Sequence, residues 1–315
     1  MQKLILNSGQ DMPIIGFGTA AFPFAQPEEI VSAVLDAIRV GYRHFDTAAI
    51  YNSEEPLGKA VAEAIDSGLI SSRDELFITS KLWCTDAYPS RVVAALKESL
   101  RSRKLGMEYL DLYLIHYPLR LRPETSGLAF APENILPFDL VGMWKAMEDC
   151  QKLGLAKSIG VSNYSVKKLK ETLEHCSTPP SVNQVEMNVA WQQLDLLTFC
   201  REKGISLCAW GPLGGNGTPW GSNAVMDDPV LNEIATAKGK SVAQIALRWV
   251  YQQGVTLIVK SFHKDRMTQN LQVPDWDWEL SEDELVKIKQ DIPQRRGNDG
   301  SRFGAWLEQQ GLWDE

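Results

Sequence analysis

The sequence predicts an α/β protein in which eight βα units close into one (β/α)8 TIM barrel, with a β-hairpin ahead of the first unit and long loops over the C-terminal mouth. Three observations carry this reading. Short apolar, β-rich runs alternate with helically periodic segments about eight times along the chain. The runs are spaced at roughly the length of one βα unit. Repeated βα units demand a parallel sheet, and eight of them favour closure over an open sheet.

Taken in order, Lys3 to Asn7 and Met12 to Ile15 flank the polar Ser8-Gly9-Gln10-Asp11, a hairpin able to plug the bottom of the barrel. The strand-like runs follow at Ile14 to Gly18, Tyr42 to Thr47, Leu76 to Ser80, Leu110 to Ile115, Ser158 to Val161, Val182 to Glu186, Ser206 to Trp210 and Thr256 to Val259. Amphipathic segments between them include Pro27 to Val40, Pro89 to Arg103, Asp139 to Leu153, Val166 to Cys176 and Ser241 to Tyr251. Several begin on Ser or Asp or carry Pro in the first turn, as helix N-termini do. Residues 117–137, after the fourth run, and the Gly-rich tail 295–315 fall outside the repeat and are expected to act as substrate loops. The expected organisation is one domain over residues 1–315, since barrels of this kind commonly exceed ~250 residues.

Composition narrows the function. Apolar residues make up 44% and charged residues 23%, an ordinary globular balance. The net charge of -8, from 40 acidic and 32 basic residues without a basic run, argues against nucleic acid or anionic lipid as a partner. The N-terminal stretch lacks a signal peptide's charged start and apolar run, and no stretch approaches the ~18 apolar residues of a membrane span. Cys84, Cys150, Cys176, Cys200 and Cys208 are an odd set without C-x-x-C spacing, so they are read as reduced thiols of a cytoplasmic protein, with no disulfide framework and no metal site. Two glycosylation sequons, at Asn163 and Asn216, carry no weight in that compartment. The chain is expected to be a monomer.

Active sites of parallel barrels lie at the C-terminal mouth, so polar residues ending apolar runs are the candidates. They are Asp46, Lys81, His116, Ser162, Asn163, Gln184, Trp210, Lys260 and Ser261, with Tyr51 in the loop after Asp46. Any one could be a solvated strand cap, Asp46 and Lys81 a purely structural ion pair, His116 a satisfied strand-end histidine, and Tyr51 a packing residue. Together they bring an acid, a base and an imidazole from different strands to a phenol. A carboxylate holding Lys81 charged would place a positive charge beside Tyr51, lower its pKa from the usual ~10, and let it donate a proton near neutrality. His116 would then orient the same acceptor oxygen as a neutral donor.

At these residues the sequence resembles the aldo-keto reductase superfamily, over nearly the whole chain as far as Asn270. Gly41-Tyr42-Arg43-His44-Phe45-Asp46-Thr47-Ala48 with Tyr51, Lys81-Leu82-Trp83, Leu110 to His116, and Gly160-Val161-Ser162-Asn163-Tyr164 are similar to its signatures. The resemblance implies NADPH-dependent reduction of a ketone or aldehyde by the tetrad Asp46, Tyr51, Lys81 and His116, with Tyr51 as general acid. It implies a nicotinamide site at Ser162, Asn163, Gln184 and Trp210, where many relatives carry Tyr at the last position, with Thr19 and Asp46 also binding the cofactor. A pyrophosphate loop at Gly211, Pro212, Leu213 and Gly215 would follow, then an adenosine phosphate site at Lys260, Ser261, Phe262, Arg266 and Asn270. Ser72 to Ser80, Thr218 to Gly221 and Trp249 to Gly254 look most like plant reductases of specialised metabolism, the group that includes codeinone, methylecgonone and polyketide reductases and deoxymugineic acid synthase. Ala20 and Tyr117 depart from common residues at their positions, which suggests a wider pocket for a bulky ketone. Trp83, His116, Tyr117, Phe130, Trp191, Phe303 and Trp306 are its other expected walls.

Other readings compete. Gly16-Phe17-Gly18-Thr19-Ala20-Ala21 matches a Rossmann dinucleotide fingerprint, but Pro23 interrupts the helix that should follow, so the glycines read better as a tight strand end. A Schiff-base lyase could use Lys81 as nucleophile, although the adjacent Asp46 pushes its pKa the wrong way. A non-catalytic cofactor-binding barrel is a third possibility, which the intact tetrad speaks against. Relatives that reduce C=C bonds tend to carry Glu where this chain has His116.

Overall fold

A computed structural model of the chain describes residues 2–127, 131–215, 217–218 and 221–297. The chain opens on an antiparallel hairpin, β1 (Lys3–Ile5) and β2 (Asp11–Pro13), with Leu4 opposite Met12. Four strands follow at β3 (Ile15–Gly18), β4 (His44–Asp46), β5 (Phe77–Leu82) and β6 (Leu110–Ile115). Within the long 117–137 segment, β7 (Arg120–Leu121) pairs antiparallel with β8 (Ile135–Leu136). The remaining strands are β9 (Ala156–Ser162), β10 (Val182–Glu186), β11 (Ser206–Trp210) and β12 (Thr256–Val259). Eight of them close a parallel barrel in the order β10-β11-β12-β3-β4-β5-β6-β9.

Strands β6, β10, β11 and β12 have the bounds the sequence predicts. Strand β4 is shorter than Tyr42 to Thr47 because Tyr42 is spent on closing the preceding helix, its N–H bonding to Ala37 O and its hydroxyl to Met267 O. Strand β5 runs past Ser80 to Leu82, which moves Lys81 from a strand end into the barrel wall.

The helices are α1 (Pro27–Val40), α2 (Glu54–Asp66), α3 (Val92–Leu100), α4 (Leu140–Lys152), α5 (Val166–His175), α6 (Leu194–Glu202), α7 (Pro229–Lys238), α8 (Val242–Gln252), α9 (Lys264–Leu271) and α10 (Glu282–Asp291). Helix α1 shows why they form where they do. Gln26 and Glu29 make a capping box, Pro27 presets the first turn, and Gly41 at φ 117° ends the helix as only glycine does without strain. Its Ile30, Val34, Ala37 and Ile38 share one buried face at helical spacing.

The barrel interior is layered. Leu6 and Met12 of the hairpin pack with Phe77, Leu112, Leu114, Val182, Cys208 and Ile258 in a cluster separate from the larger core under the helices. The hairpin is therefore a plug, and each such buried side chain contributes ~1.5–3 kcal/mol. Above this layer the interior is tight. A Cβ on Gly16 would lie 2.6 Å from Ile258 Cδ1 and 2.8 Å from His44 Nδ1, and one on Gly160 would lie 2.5 Å from Val182 O. Gly16 is thus required by packing inside β3, and α1 begins only at Pro27, so the Gly16-x-Gly18 string builds no dinucleotide turn.

Candidate active site

Strand alternation aims the polar residues inward. In β5, Phe77 joins the inner apolar cluster, Thr79 Oγ1 lies 3.2 Å from His44 Nε2, and Lys81 continues that inward series, while Ile78 and Leu82 join the outer core. Asp46 ends β4, His116 follows β6, Ser162 ends β9, and Trp210 ends β11. Tyr51 ends the short 3-10 turn Ala49–Tyr51, after which Asn52 takes the left-handed conformation at φ 56° and reverses the chain into α2.

At the centre Lys81 Nζ lies 2.6 Å from Asp46 Oδ1, and the two side chains are 1% and 5% exposed. Removing two charges from water costs several kcal/mol per ion unless hydrogen bonds replace the lost hydration. Here they do. Gln184 Nε2 donates to Asp46 Oδ2 at 2.7 Å, and Lys81 Nζ donates also to Thr47 O at 3.0 Å. The ammonium sits 4.9 Å from the centre of the Tyr51 ring, whose hydroxyl is 3.1 Å from His116 Nε2. His116 is held by an aromatic box, edge-on to Tyr51 and Trp83 and stacked on Tyr117 at 5.1 Å and 19°.

Burial sets the protonation states. Desolvation and then the Lys81 charge hold His116 well below the usual imidazole range, so it is neutral as expected. Tyr51 differs from expectation. Desolvation, followed by repulsion from Asp46, pushes its hydroxyl well above the usual phenol value rather than below it. The Lys81 proton donors that would offset this point to Asp46 and the Thr47 carbonyl, so the neighbouring charge is already partly neutralised.

A cleft of about 870 Å³ runs from this cluster across the mouth. Beside His116, Asn163 donates from Nδ2 to His116 O at 2.9 Å and to Ser162 Oγ at 3.1 Å, and accepts from Trp210 Nε1 at 3.2 Å. Ser162 Oγ donates to Gln184 O at 2.7 Å. These contacts lock Ser162, Asn163, Gln184 and Trp210 into one polar wall with an indole face. Gly211, Pro212, Leu213 and Gly215 line the next stretch, with Gly211 and Gly215 both at φ 63°. Lys260, Ser261, Arg266 and Asn270 line the far end, and Ala20, Trp83 and Tyr117 the near one.

Other expected residues lie elsewhere. Thr19 is 1% exposed, does not line the cleft, and bonds its hydroxyl to Asp46 O and Ser53. Phe262 is surface-exposed, with Lys260 Nζ 4.5 Å above its ring. Trp191 does not line the cleft. The Asn188–Trp191 bridge turns that loop back, and its indole lines a second cavity of about 580 Å³ near Glu186 and Gln193, stacked under Arg296. Phe130, Phe303 and Trp306 lie outside the described residues.

Several cleft residues escape the strand-end rule. Gln269 stands three residues after Arg266 and one before Asn270 on α9, so helical spacing alone places it on the same face. Phe22 and Phe24, around a cis Phe22–Pro23 bond, project from the loop after β3, and Ile50 adjoins Tyr51. Asn223, Met226 and Asp227 come from the loop after β11 and have no motif to announce them. Among the described residues no cluster of His, Cys, Asp and Glu could hold a metal, and no helix is long and apolar enough to cross a membrane.

Known proteins match this chain in sequence and in fold. The model of the aldo/keto reductase family matches residues 14–292. Protein REDOX 2 of Catharanthus roseus is 55% identical over 98% of this chain and 96% of its own. Deoxymugineic acid synthase 1-D of Triticum aestivum is 55% identical over 96% of each. Both come from plants, and deoxymugineic acid synthase is one of the enzymes named in the plant group that Ser72 to Ser80 and Trp249 to Gly254 suggest. A crystal structure of a Bombyx mori aldo-keto reductase in complex with NADP superposes with a TM-score of 0.83, at 37% identity over 97% of this chain and 96% of that one.

The buried histidine has a measurable consequence. Its pKa is lower folded than the 6.5 of the free group, so below that value the unfolded chain binds the extra proton and stability falls with falling pH. His44 is shifted the same way and adds to the effect. Between pH 6.5 and 5.5, His116→Gln is expected to lose ~1 kcal/mol less unfolding free energy than the parent. Urea unfolding at the two pH values checks this, and equal losses would contradict a neutral buried imidazole.

Proposed function

We propose that this chain, which belongs to the aldo/keto reductase family, reduces a ketone or aldehyde to an alcohol with NADPH, and that Tyr51 is the proton donor. The observation that carries the reading is the Tyr51 hydroxyl 3.1 Å from a neutral His116 Nε2, at the closed end of the cleft and beside the buried Lys81–Asp46 pair.

The donor set suits the cofactor. Lys260 and Arg266 bring cationic groups to one end of the cleft, fit for the 2'-phosphate, with Ser261, Gln269 and Asn270 beside them. Gly211, Pro212, Leu213 and Gly215 suit the pyrophosphate, Trp210 offers a flat face for the nicotinamide, and Ser162, Asn163 and Gln184 suit its carboxamide. When bound there, NADPH would supply a hydride to the carbonyl carbon.

The protein supplies the proton and the orientation. A carbonyl oxygen within reach of both Tyr51 Oη and His116 Nε2 accepts two hydrogen bonds, one from the phenol and one from the imidazole N–H. As negative charge develops on that oxygen, the Tyr51 O–H breaks and the new alcohol O–H forms. The high pKa keeps Tyr51 fully protonated in the resting protein, so it is always loaded as a donor. The phenolate left behind is the costly species in this half-buried place, and the Lys81 ammonium 4.9 Å from the ring stabilises it. Asp46 holds that ammonium in place, and Lys81, with its bonds to Asp46 and Thr47 O, is ill suited to Schiff-base chemistry. The mouth, with small Ala20 and Ala21 among Phe22, Phe24, Trp83 and Tyr117, supports a bulky apolar ketone, and the 117–137 segment bounds it through Tyr117.

Tyr51→Phe is expected to bind NADPH as the parent does and to lose turnover by ~10²–10⁴-fold, the usual worth of a positioned general acid. Cofactor fluorescence and NADPH absorbance read the two quantities, and undiminished turnover would contradict the assignment. Lys260→Ala and Arg266→Ala are expected to weaken NADPH by roughly tenfold or more, as for a lost charged hydrogen bond. Titration with NADH should show little change, whereas an equal loss for both cofactors would remove the phosphate assignment.

A further inference from the structure

We infer that Ser53 is a positioning residue for Tyr51, acting through a buried one-way chain of three hydroxyls that clasps the turn carrying the phenol; this rests on the proton-donor reading of Tyr51.

Ser53 occupies the N-cap of α2, where a serine hydroxyl ordinarily accepts from an amide of the first turn. It makes no such bond. Its Oγ instead lies 2.7 Å from Thr19 Oγ1 and 2.7 Å from Thr47 Oγ1, and all three residues are 0–1% exposed.

Each hydroxyl has one proton to give, which fixes the direction of the chain. Thr19 Oγ1 donates to Asp46 O at 3.0 Å, so towards Ser53 it accepts. Ser53 thereby spends its proton on Thr19, and Thr47 must donate to Ser53. The order is Thr47, Ser53, Thr19, then the Asp46 carbonyl.

The consequence is local. Thr47 and Ser53 are the two ends of the segment that contains Tyr51, and the hydroxyl pair ties those ends together. Between them the Tyr51 N–H bonds to Ala48 O at 3.0 Å, and Asn52 reverses the chain at φ 56°. The backbone so held also presents the Thr47 carbonyl to Lys81 Nζ, so one clasp sets both the phenol and an acceptor of the ammonium beside it. A serine used as a plain helix cap would do neither.

The test places Ser53→Ala and Thr47→Val in the parent and in the Tyr51→Phe background, with NADPH and benzaldehyde as the probe carbonyl. In the parent, kcat is expected to fall by about tenfold to a hundredfold, the scale of a small misplacement of a reacting group. The KM for benzaldehyde and the Kd for NADPH should stay within about twofold. In the Tyr51→Phe background neither change should cost anything further, and Thr47→Ser, which restores the hydroxyl, should recover most of the loss in Thr47→Val. A parent-background kcat within about twofold, a loss carried by KM or Kd, or the same loss repeated in the Tyr51→Phe background would each overturn the inference. Full turnover by Tyr51→Phe alone would instead remove the proton-donor reading beneath it. Should Ser53→Ala not fold, Thr47→Val, which conserves volume, decides alone.

Discussion

The ion pair between Lys81 and Asp46 is the constraint around which the mouth of the barrel is built. Two charges at 1% and 5% exposure are tolerable only if hydrogen bonds replace lost hydration, and that requirement recruits the neighbours. Gln184 serves the second carboxylate oxygen, and the Thr47 carbonyl serves the ammonium. Gln184 is then positioned for the polar wall with Ser162, and the Thr47 backbone fixes where the Tyr51 turn begins. A barrel interior that is apolar at its hairpin end thus becomes polar over a few residues of β4, β5, β9 and β10. The change follows from alternation along β5, where Phe77, Thr79 and Lys81 succeed one another inside.

Desolvation decides the protonation states as much as charge does. It holds His116 neutral and raises the Tyr51 hydroxyl, so the resting site presents two uncharged hydrogen-bonding groups over a fixed positive charge. On the proposed mechanism that arrangement acts late. It stabilises the phenolate that appears after proton transfer, rather than loosening the proton beforehand.

Much of this was legible in the sequence, for physical reasons that differ by residue. The barrel was legible because Pro in a first helical turn, as at Pro27, and short apolar runs such as Leu110 to Ile115 are local signals. Asp46 and His116 were legible because strand ends of a parallel barrel converge whatever lies between them, and Lys81, though inside β5, lies one residue short of its end. Thr19 and Trp191 are expected at the cleft, but side-chain direction in a loop depends on partners distant in sequence, Ser53 for the first and Arg296 for the second. Gln269 was within reach, since it shares a helical face with Arg266 and Asn270. The direction of the Tyr51 shift was not, because a sequence names neighbouring charges but not the depth of burial that outweighs them.

The central claim is that the buried charge of Lys81 serves the chemistry of Tyr51 and is not only a structural tie. Turnover by the double variant Asp46→Leu/Lys81→Met tests it most directly, because replacing a whole buried pair by apolar groups is often neutral for stability or gains ~1–4 kcal/mol, so loss of the fold does not confound the assay. The account predicts a folded barrel that still binds NADPH and has lost carbonyl reduction by at least about a hundredfold. A folded double variant that reduces its carbonyl at the parental rate would contradict it.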